Sequence, residues 1–319
     1  MTRLIAPTAL ALAAALALAA CAPAESAPAS SEAAPPESAW PRTVELDGGS
    51  AEIPAEPQRI VALSTETSDL ALELVGPERV AAVSSGSVAE GAGNQVALAE
   101  QVDTVLETQT TPDPEQILAL EPDLVLLTER HDGEQAAADL LEGTGIPVLA
   151  FDDEDFQTLD GIQGGVEVLG EALGAEDEAA RIVADMAERR TEIDAEATGG
   201  EVPRVLLLMA RGGQQMVQPA GTLMSHLVEE AGGEVVGSGP SAVPADPERL
   251  VEIAPDVIVV EDFRGAGLGP FQQLLASPAL AEVPAVADDE VHLVSGAIAS
   301  DTAGTAAVDG LAEISALLN

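Results

Sequence analysis

One stretch of this chain occurs twice. Residues 112–127, PDPEQILALEPDLVLL, can be laid on residues 244–260, PADPERLVEIAPDVIVV, so that Pro114-Glu115 meets Pro247-Glu248 and Pro122-Asp123 meets Pro255-Asp256, each pair 133 residues apart (114 to 247, 122 to 255). Both copies carry the same instructions: a proline opening a short helix, a glutamate in its first turn, then Pro-Asp leading into a buried strand. Any two βα units share some of this punctuation, but not at a constant offset over some fifteen positions. A chain with such a repeat is expected to fold as two similar α/β lobes.

The rest of the sequence fits that frame. Strand-like apolar runs end near Leu63 (RIVAL), Val83 (RVAAV), Leu127 (DLVLL) and Phe151 (IPVLAF), and a second set ends near Met209 (RVLLLM), Val260 (DVIVV) and Val294 (EVHLV). Segments with helical spacing or Gly/Pro breaks separate them, which is a βα pattern with parallel strands. Ahead of them TVEL-DGG-SAEIP reads as a hairpin about an Asp-Gly turn. Between the two sets AEDEAARIVADMAERRTEIDAEA (175–197) is the longest helical signal, acidic in its first turn, apolar at Ile182, Val183, Met186 and Ile193, and stopped by Gly199-Gly200. It predicts a strut joining a first lobe (42–174) to a second (199–319), with the connecting helix over 175–198.

Residues 1–20 hold one basic residue, Arg3, before an Ala/Leu run shorter than the roughly 20 residues a membrane-spanning helix needs. They read as a secretion signal, and Leu18-Ala19-Ala20-Cys21 resembles the lipobox of bacterial lipoproteins. Cys21 is the only cysteine, so no internal disulfide can form, and it is the expected lipid attachment point. Residues 21–41 are Ala/Pro/Ser/Glu-rich and read as a flexible tether. The expected location is the outer face of the cytoplasmic membrane or a periplasm-facing membrane surface.

A net charge of −44 argues against nucleic acid as a partner, while the apolar content is too high for a disordered acidic chain. All 12 basic residues are arginines, suited to planar anions. With one Trp, four Phe and no Tyr, few rings are available for stacking. No G-x-S-x-G, P-loop or strand-borne G-x-G-x-x-G is present. Ser64 lacks the flanking glycines of a nucleophile elbow, and a helix N-cap at Ser64 or Thr65 explains it better. No catalytic residue and no resident cofactor are expected.

The order of these features resembles the iron-complex and cobalamin family of substrate-binding proteins of ABC importers. The resemblance rests on the lipobox, the hairpin, AEPQRIVALSTETSDLALELVG, PEQILALEPDLVLL, GIPVLAF, the single long helix and PERLVEIAPDVIVV. It implies a monomeric, two-lobed body with little hinge bending, a ligand in the cleft between the lobes, and salt bridges from Glu115 and Glu248 to arginines of the two permease subunits. One exposed acid per lobe at equivalent places suits a two-fold partner. For either glutamate alone, a charge that favours the helix dipole is the simpler reading.

In open α/β lobes ligands gather beyond the carboxyl ends of the strands. There stand Thr128-Glu129-Arg130-His131, Ala210-Arg211-Gly212-Gly213 and Glu261-Asp262-Phe263-Arg264. Arg130, Arg211 and Arg264 look like the basic trio with which some siderophore binders hold anionic ferric catecholates; the competing explanation is three ordinary ion pairs with Glu129, Glu261 or Asp262. Thr65 and Phe263 join them as expected ligand contacts. His131 is the candidate axial ligand should the cargo be haem, with Met216 as an unusual partner, because the tyrosine that other haem binders use is absent. A surface histidine beside Asp132 is the plainer alternative. His226 on a helix and His292 in a strand read as structural, and no histidine pair has metal-ligand spacing. The expected function is capture of an iron complex, an anionic ferric siderophore first, and its delivery to an ABC permease. Haem capture is the alternative within the fold, and an envelope lipoprotein with an enzymatic or structural role is the alternative outside it.

Overall fold

The computed structural model describes residues 40–46, 49–107, 111–196 and 200–319. The expected signal, Cys21 and nearly all of the tether lie outside the described residues. Antiparallel β1 (Arg42–Leu46) and β2 (Gly49–Ile53) form the predicted hairpin, whose Asp47-Gly48 turn is likewise outside them.

The first lobe is built on β3 (Ile60–Ala62), β4 (Val80–Ser84), β5 (Val105–Leu106), β6 (Leu124–Glu129) and β7 (Val148–Asp152), all parallel in the order β5-β4-β3-β6-β7. Its helices are α1 (Thr65–Val75), α2 (Val96–Ala99), α3 (Pro114–Leu118), α4 (Asp132–Glu142) and α5 (Leu159–Leu173). The strut is α6 (Glu176–Glu196), 21 residues and so about 32 Å long. The second lobe follows with β8 (Arg204–Arg211), β9 (Gln214–Val217), α7 (Leu223–Glu230), β10 (Glu234–Val235), β11 (Val243–Pro244), α8 (Pro247–Ile253), β12 (Val257–Asp262), α9 (Gln272–Leu275), α10 (Pro284–Ala287), β13 (Val291–Ser295), α11 (Gly296–Ala299) and α12 (Ala307–Leu318). Its sheet runs β11-β9-β8-β12-β13, with β10 beside the start of β8. The fold is therefore α/β with two similar lobes and one connecting helix.

The second sheet is less purely parallel than the sequence suggests. β8 turns back on itself through Gly212-Gly213, at φ of 57° and 78°, and pairs antiparallel with β9 from Arg211↔Gln214 to Leu208↔Val217. Two consecutive left-handed residues are what a tight two-residue hairpin requires, and glycine supplies them without a Cβ clash. Read from sequence, those glycines mark only the end of a strand.

Strand periodicity divides the core. In β8, Val205 and Leu207 face one cluster while Leu206 and Leu208 face another on the opposite side of the sheet. The first cluster is continuous through both lobes: Leu70, Phe156 and Ile162 of the first, Ile182 and Met186 of the strut, and Leu223, Leu227 and Leu311 of the second are all buried in it. Arg190 on α6 adds polar ties to both sides, to Asp160 of α5 at 2.5 Å and to Glu230 of α7 at 2.5 Å. Separating the lobes would expose shared apolar surface at about 25 cal/mol per Å², so wide hinge opening is costly in this molecule.

The repeat persists at atomic level. Asp113 and Asp246 cap α3 and α8 by accepting from backbone N–H groups. At the other end, the Arg59 guanidinium donates to the carbonyls of Leu120 (2.6 Å) and Glu121 (3.2 Å), and that of Arg204 donates to Ile253 (2.7 Å) and Ala254 (2.7 Å). Glu121 and Ala254 are both left-handed, with φ of 51° and 46°. Asp123 accepts from the backbone N–H of Gln58 and Arg59, and Asp256 from that of Arg204. Each short helix is thus fastened to the first strand of its own lobe's sheet.

Candidate functional site

Residues after β4 and β6 in the first lobe meet residues after β12 and β13 in the second. Ser64-Thr65-Glu66-Thr67-Ser68-Asp69, directly after β3, is polar and yet wholly buried. Buried polar groups need partners, and most of these find one another. Ser64 Oγ lies 2.7 Å from Thr67 Oγ1 and 3.0 Å from Thr128 Oγ1, and Ser68 Oγ donates to the Ser64 carbonyl at 2.7 Å. Thr65, a predicted ligand contact, is 4% exposed with its Oγ1 3.3 Å from Ser84 Oγ.

Arg130 stands at the end of β6 as predicted, but it is not a free cation. Its Nη2 is 2.9 Å from Oε1 of the fully buried Glu66, its Nε donates to Asp153 at 2.5 Å, and its Nη2 also donates across to the Asp301 carbonyl of the second lobe at 2.9 Å. Burial works against its charge, but Glu66 and Asp153 outweigh that and hold its pKa above the ordinary arginine value. The group acts as a clasp between the lobes.

His131 is the N-cap of α4, more than half exposed, with Nδ1 3.1 Å from Glu134 Oε2. The Glu134 carboxylate also accepts from the backbone N–H of Arg130 (2.9 Å) and of His131 (2.8 Å), which fixes this corner. Met216 is half-buried in β9, opposite Met209 and Pro244. His226 lies on α7 and His292 in β13, where it pairs with Glu290 at 2.8 Å. Among the described residues no group of three His, Cys, Asp or Glu side chains is placed to hold a metal ion.

The structure does bring Arg211, Phe263 and Arg264 together. The two guanidinium carbons lie 4.0 and 5.1 Å from the centroid of the Phe263 ring, a double cation–π arrangement. Arg211 is anchored by Glu261 at 2.5 Å, which in turn accepts from Gln218 at 3.1 Å. Arg264 has no ion pair or hydrogen bond among the described residues, and it sits at φ 56°, uncommon for a residue with a side chain. Phe263 is 36% exposed, while the other three phenylalanines are buried. Beside it a pocket of about 180 Å³ is lined by Ala210, Gly213, Phe263, Gly267, Pro270 and Phe271.

Across the seam, residues 85–95, the loop after β4, form a strap onto the second lobe. Both side-chain N–H groups of Asn94 are used there, on the carbonyls of Ala297 (2.7 Å) and Ala303 (2.8 Å). Gly91, at φ 73°, lies so close to Arg264 that a Cβ on it would come within 3.2 Å of the arginine Cα. The Asn94 backbone N–H donates to Asp69 Oδ2 at 2.6 Å, whereas Asp69 Oδ1 is buried with no partner among the described residues. Burial pushes the Asp69 carboxyl up from 3.8 to about 7, although the hydrogen bonds from Asn94 and Ser87 favour its ionised form. Glu73, which accepts from Thr305 at 2.8 Å, and Asp301 are raised by burial as well.

Glu115 and Glu248 are exposed on α3 and α8. Sequence reasoning missed Glu66, Asp69, Asn94 and Asp301. The polar run STETSD directly behind an apolar strand was the available signal for the first two, and nothing local marks Asn94.

The family model described as periplasmic binding protein matches residues 60–295. Solved structures share the fold. A periplasmic haem-binding protein from Roseiflexus sp. RS-1 in apo form is similar with a TM-score of 0.67 at 22% identity, over 82% of this chain and 97% of that one. A periplasmic haem-binding protein from Pseudomonas aeruginosa gives 0.64 at 23%, over 82% and 92%. An ABC transporter substrate-binding protein from Listeria monocytogenes gives 0.66 at 22%, over 83% and 99%. No curated protein matches the sequence significantly. With the model spanning most of the chain and both lobes in place, the chain belongs to the periplasmic binding protein family, the solute-binding components of ABC importers.

Proposed function

We propose that the protein captures an anionic iron complex in the cleft between its lobes and hands it to an ABC permease through Glu115 and Glu248. The observation that carries this reading is Arg264, without an ion pair among the described residues, beside the exposed Phe263 ring. In a chain of charge −44 with almost no aromatic surface, a guanidinium held only by stacking, beside a partly exposed ring, suits a flat, negatively charged chelate. Arg211 completes that face, and Arg130 holds the opposite wall without offering its charge. Cys21 is the proposed lipid anchor, and incorporation of a radiolabelled fatty acid that is lost in Cys21→Ser is its test.

A ferric siderophore and haem both meet this description. Haem is favoured by the neighbours from Roseiflexus and Pseudomonas, which bind haem. The siderophore reading is favoured by the donor set, since the chain has no tyrosine and His131 is turned to Glu134. Absorbance titration with haem decides between them. A Soret shift abolished by His131→Ala assigns haem with an axial histidine, and an unshifted spectrum together with tight binding of a ferric catecholate assigns the siderophore. No enzymatic step is assigned to the cleft.

A further inference from the structure

Among the described residues only five large apolar side chains are exposed: Leu118, Leu140, Val202, Val251 and Phe263. Phe263 belongs to the cleft. Two of the other four, Leu118 at 37% and Val251 at 48%, are 133 residues apart (118 to 251), so they occupy the same place in the two copies of the repeat. Each lies three residues after the exposed glutamate of its helix, Glu115 or Glu248, and residues at i and i+3 share one helical face. The residues between them behave alike too, with Ile117 and Leu250 buried at 1% and 0% to seat each helix on its lobe. Nothing in the core calls for an aliphatic side chain in water at two symmetry-related positions.

The frame around these pairs is rigid. A helix of five or seven residues is marginal by itself, and here the Asp cap at one end and the arginine clasp at the other hold each in a fixed attitude to its sheet. We propose that Glu115 with Leu118, and Glu248 with Val251, form two equivalent docking knobs, each a carboxylate beside an aliphatic anchor. The partner is a membrane-embedded importer whose two-fold axis presents twice a cationic group next to an apolar hollow. Arg59 and Arg204 are positioning residues for these knobs. The inference rests on the docking reading of Glu115 and Glu248 and adds to it the apolar half of the contact, which sets the partner's chemistry. A symmetric partner is required, since one hollow would leave the second anchor exposed. A carboxylate alone gives steering and orientation, while desolvated apolar contact adds residence time.

Site-specific photocrosslinking of the full chain in its own host cells tests this. A benzoylphenylalanine is placed singly at positions 115, 118, 248 and 251, with position 140 as an exposed apolar control, and adducts are identified by mass spectrometry. The expected result is that 118 and 251 both crosslink to the same integral permease subunit and 140 does not. Leu118→Asp and Val251→Asp are expected to lower the yield from positions 115 and 248 of their own knobs by about tenfold, and Leu118→Ile and Val251→Ile to keep it. Crosslinks from 115 and 248 to a permease without crosslinks from 118 and 251 would overturn the anchors and leave the docking glutamates standing. No permease adduct from any of the four would overturn the docking reading as well, and adducts equal to those from position 140 would show nonspecific contact and reject the anchors.

Discussion

Arg130 and Arg264 are chemically the same side chain at the same kind of place, a strand's carboxyl end, yet they do different things. The first is sealed between Glu66 and Asp153 and tied to the Asp301 carbonyl, and the second, stacked near Phe263, has no ion pair among the described residues. Removing Arg130 leaves Glu66 buried without its cation, which costs about 3–5 kcal/mol. Arg130→Ala is therefore expected to lower the urea midpoint sharply, and the double variant Glu66→Gln/Arg130→Met to recover much of that loss. Asp69 sets a pH dependence. Its carboxyl is raised from 3.8 to about 7 in the folded chain, so the folded state holds a proton that the unfolded state releases near pH 4. The stability it contributes is complete below about pH 4 and is lost as pH rises through 7. The groups facing it are Glu66 on its own helix and Ser87, Asn94 and Gln95 from the strap. Between pH 5 and 8, unfolding of Asp69→Asn is expected to change less with pH than that of the parent, and parallel curves for the two would contradict this. The strand-end arginines were legible in the sequence, but their fates were not. Which of them is neutralised depends on Glu66, 64 positions before Arg130, and only the fold brings the two together.

At the scale of elements, the duplicated helices were visible in the sequence because their caps, glutamates and following strands keep one offset. The arginine clasps were not visible, because the first strands are 145 residues apart (59 to 204) while the helices are 133 apart; the first lobe carries a longer connection between its first strand and its knob. The β8–β9 hairpin escaped for a related reason, two glycines reading as a terminus. Arg59→Ala and Arg204→Ala each remove a pair of donors from helix-end carbonyls, worth about 1 kcal/mol per bond. Faster amide exchange confined to α3 in the one and α8 in the other is the expected outcome, with little change in the cleft. The strap behaves as an element too. Asn94→Ala deletes its two bonds to the second lobe, and exchange is expected to rise over residues 85–95 while α6 stays protected. Uniform exchange across both lobes would show that the strap holds the whole body together, not just one rim of the cleft.

The whole molecule is two lobes sharing one core, coated by carboxylates. Because Leu70, Ile182 and Leu223 belong to a single apolar cluster, cargo exchange has to come from loops, and the strap is the one that touches Arg264. Screening relieves self-repulsion at a charge of −44, so the thermal midpoint is expected to rise from low to molar salt, and an unchanged midpoint would contradict a charge-dominated surface. The two-lobed plan was legible because the repeat, the strut and the strand order all concern the chain's own bookkeeping of elements. The closeness of the lobes was not, since the contacts of Asn94 and Arg130 span some two hundred positions. What the cleft holds is settled by calorimetric titration of the full chain in detergent. At least one anionic complex among ferric catecholate, ferric citrate and haem is expected to bind tightly, with affinity falling at least tenfold in Arg264→Ala and in Phe263→Ala and weakening with salt. Binding of an uncharged ferric hydroxamate or cobalamin as tightly as these anions, with Arg264→Ala unchanged, would contradict an anionic cargo.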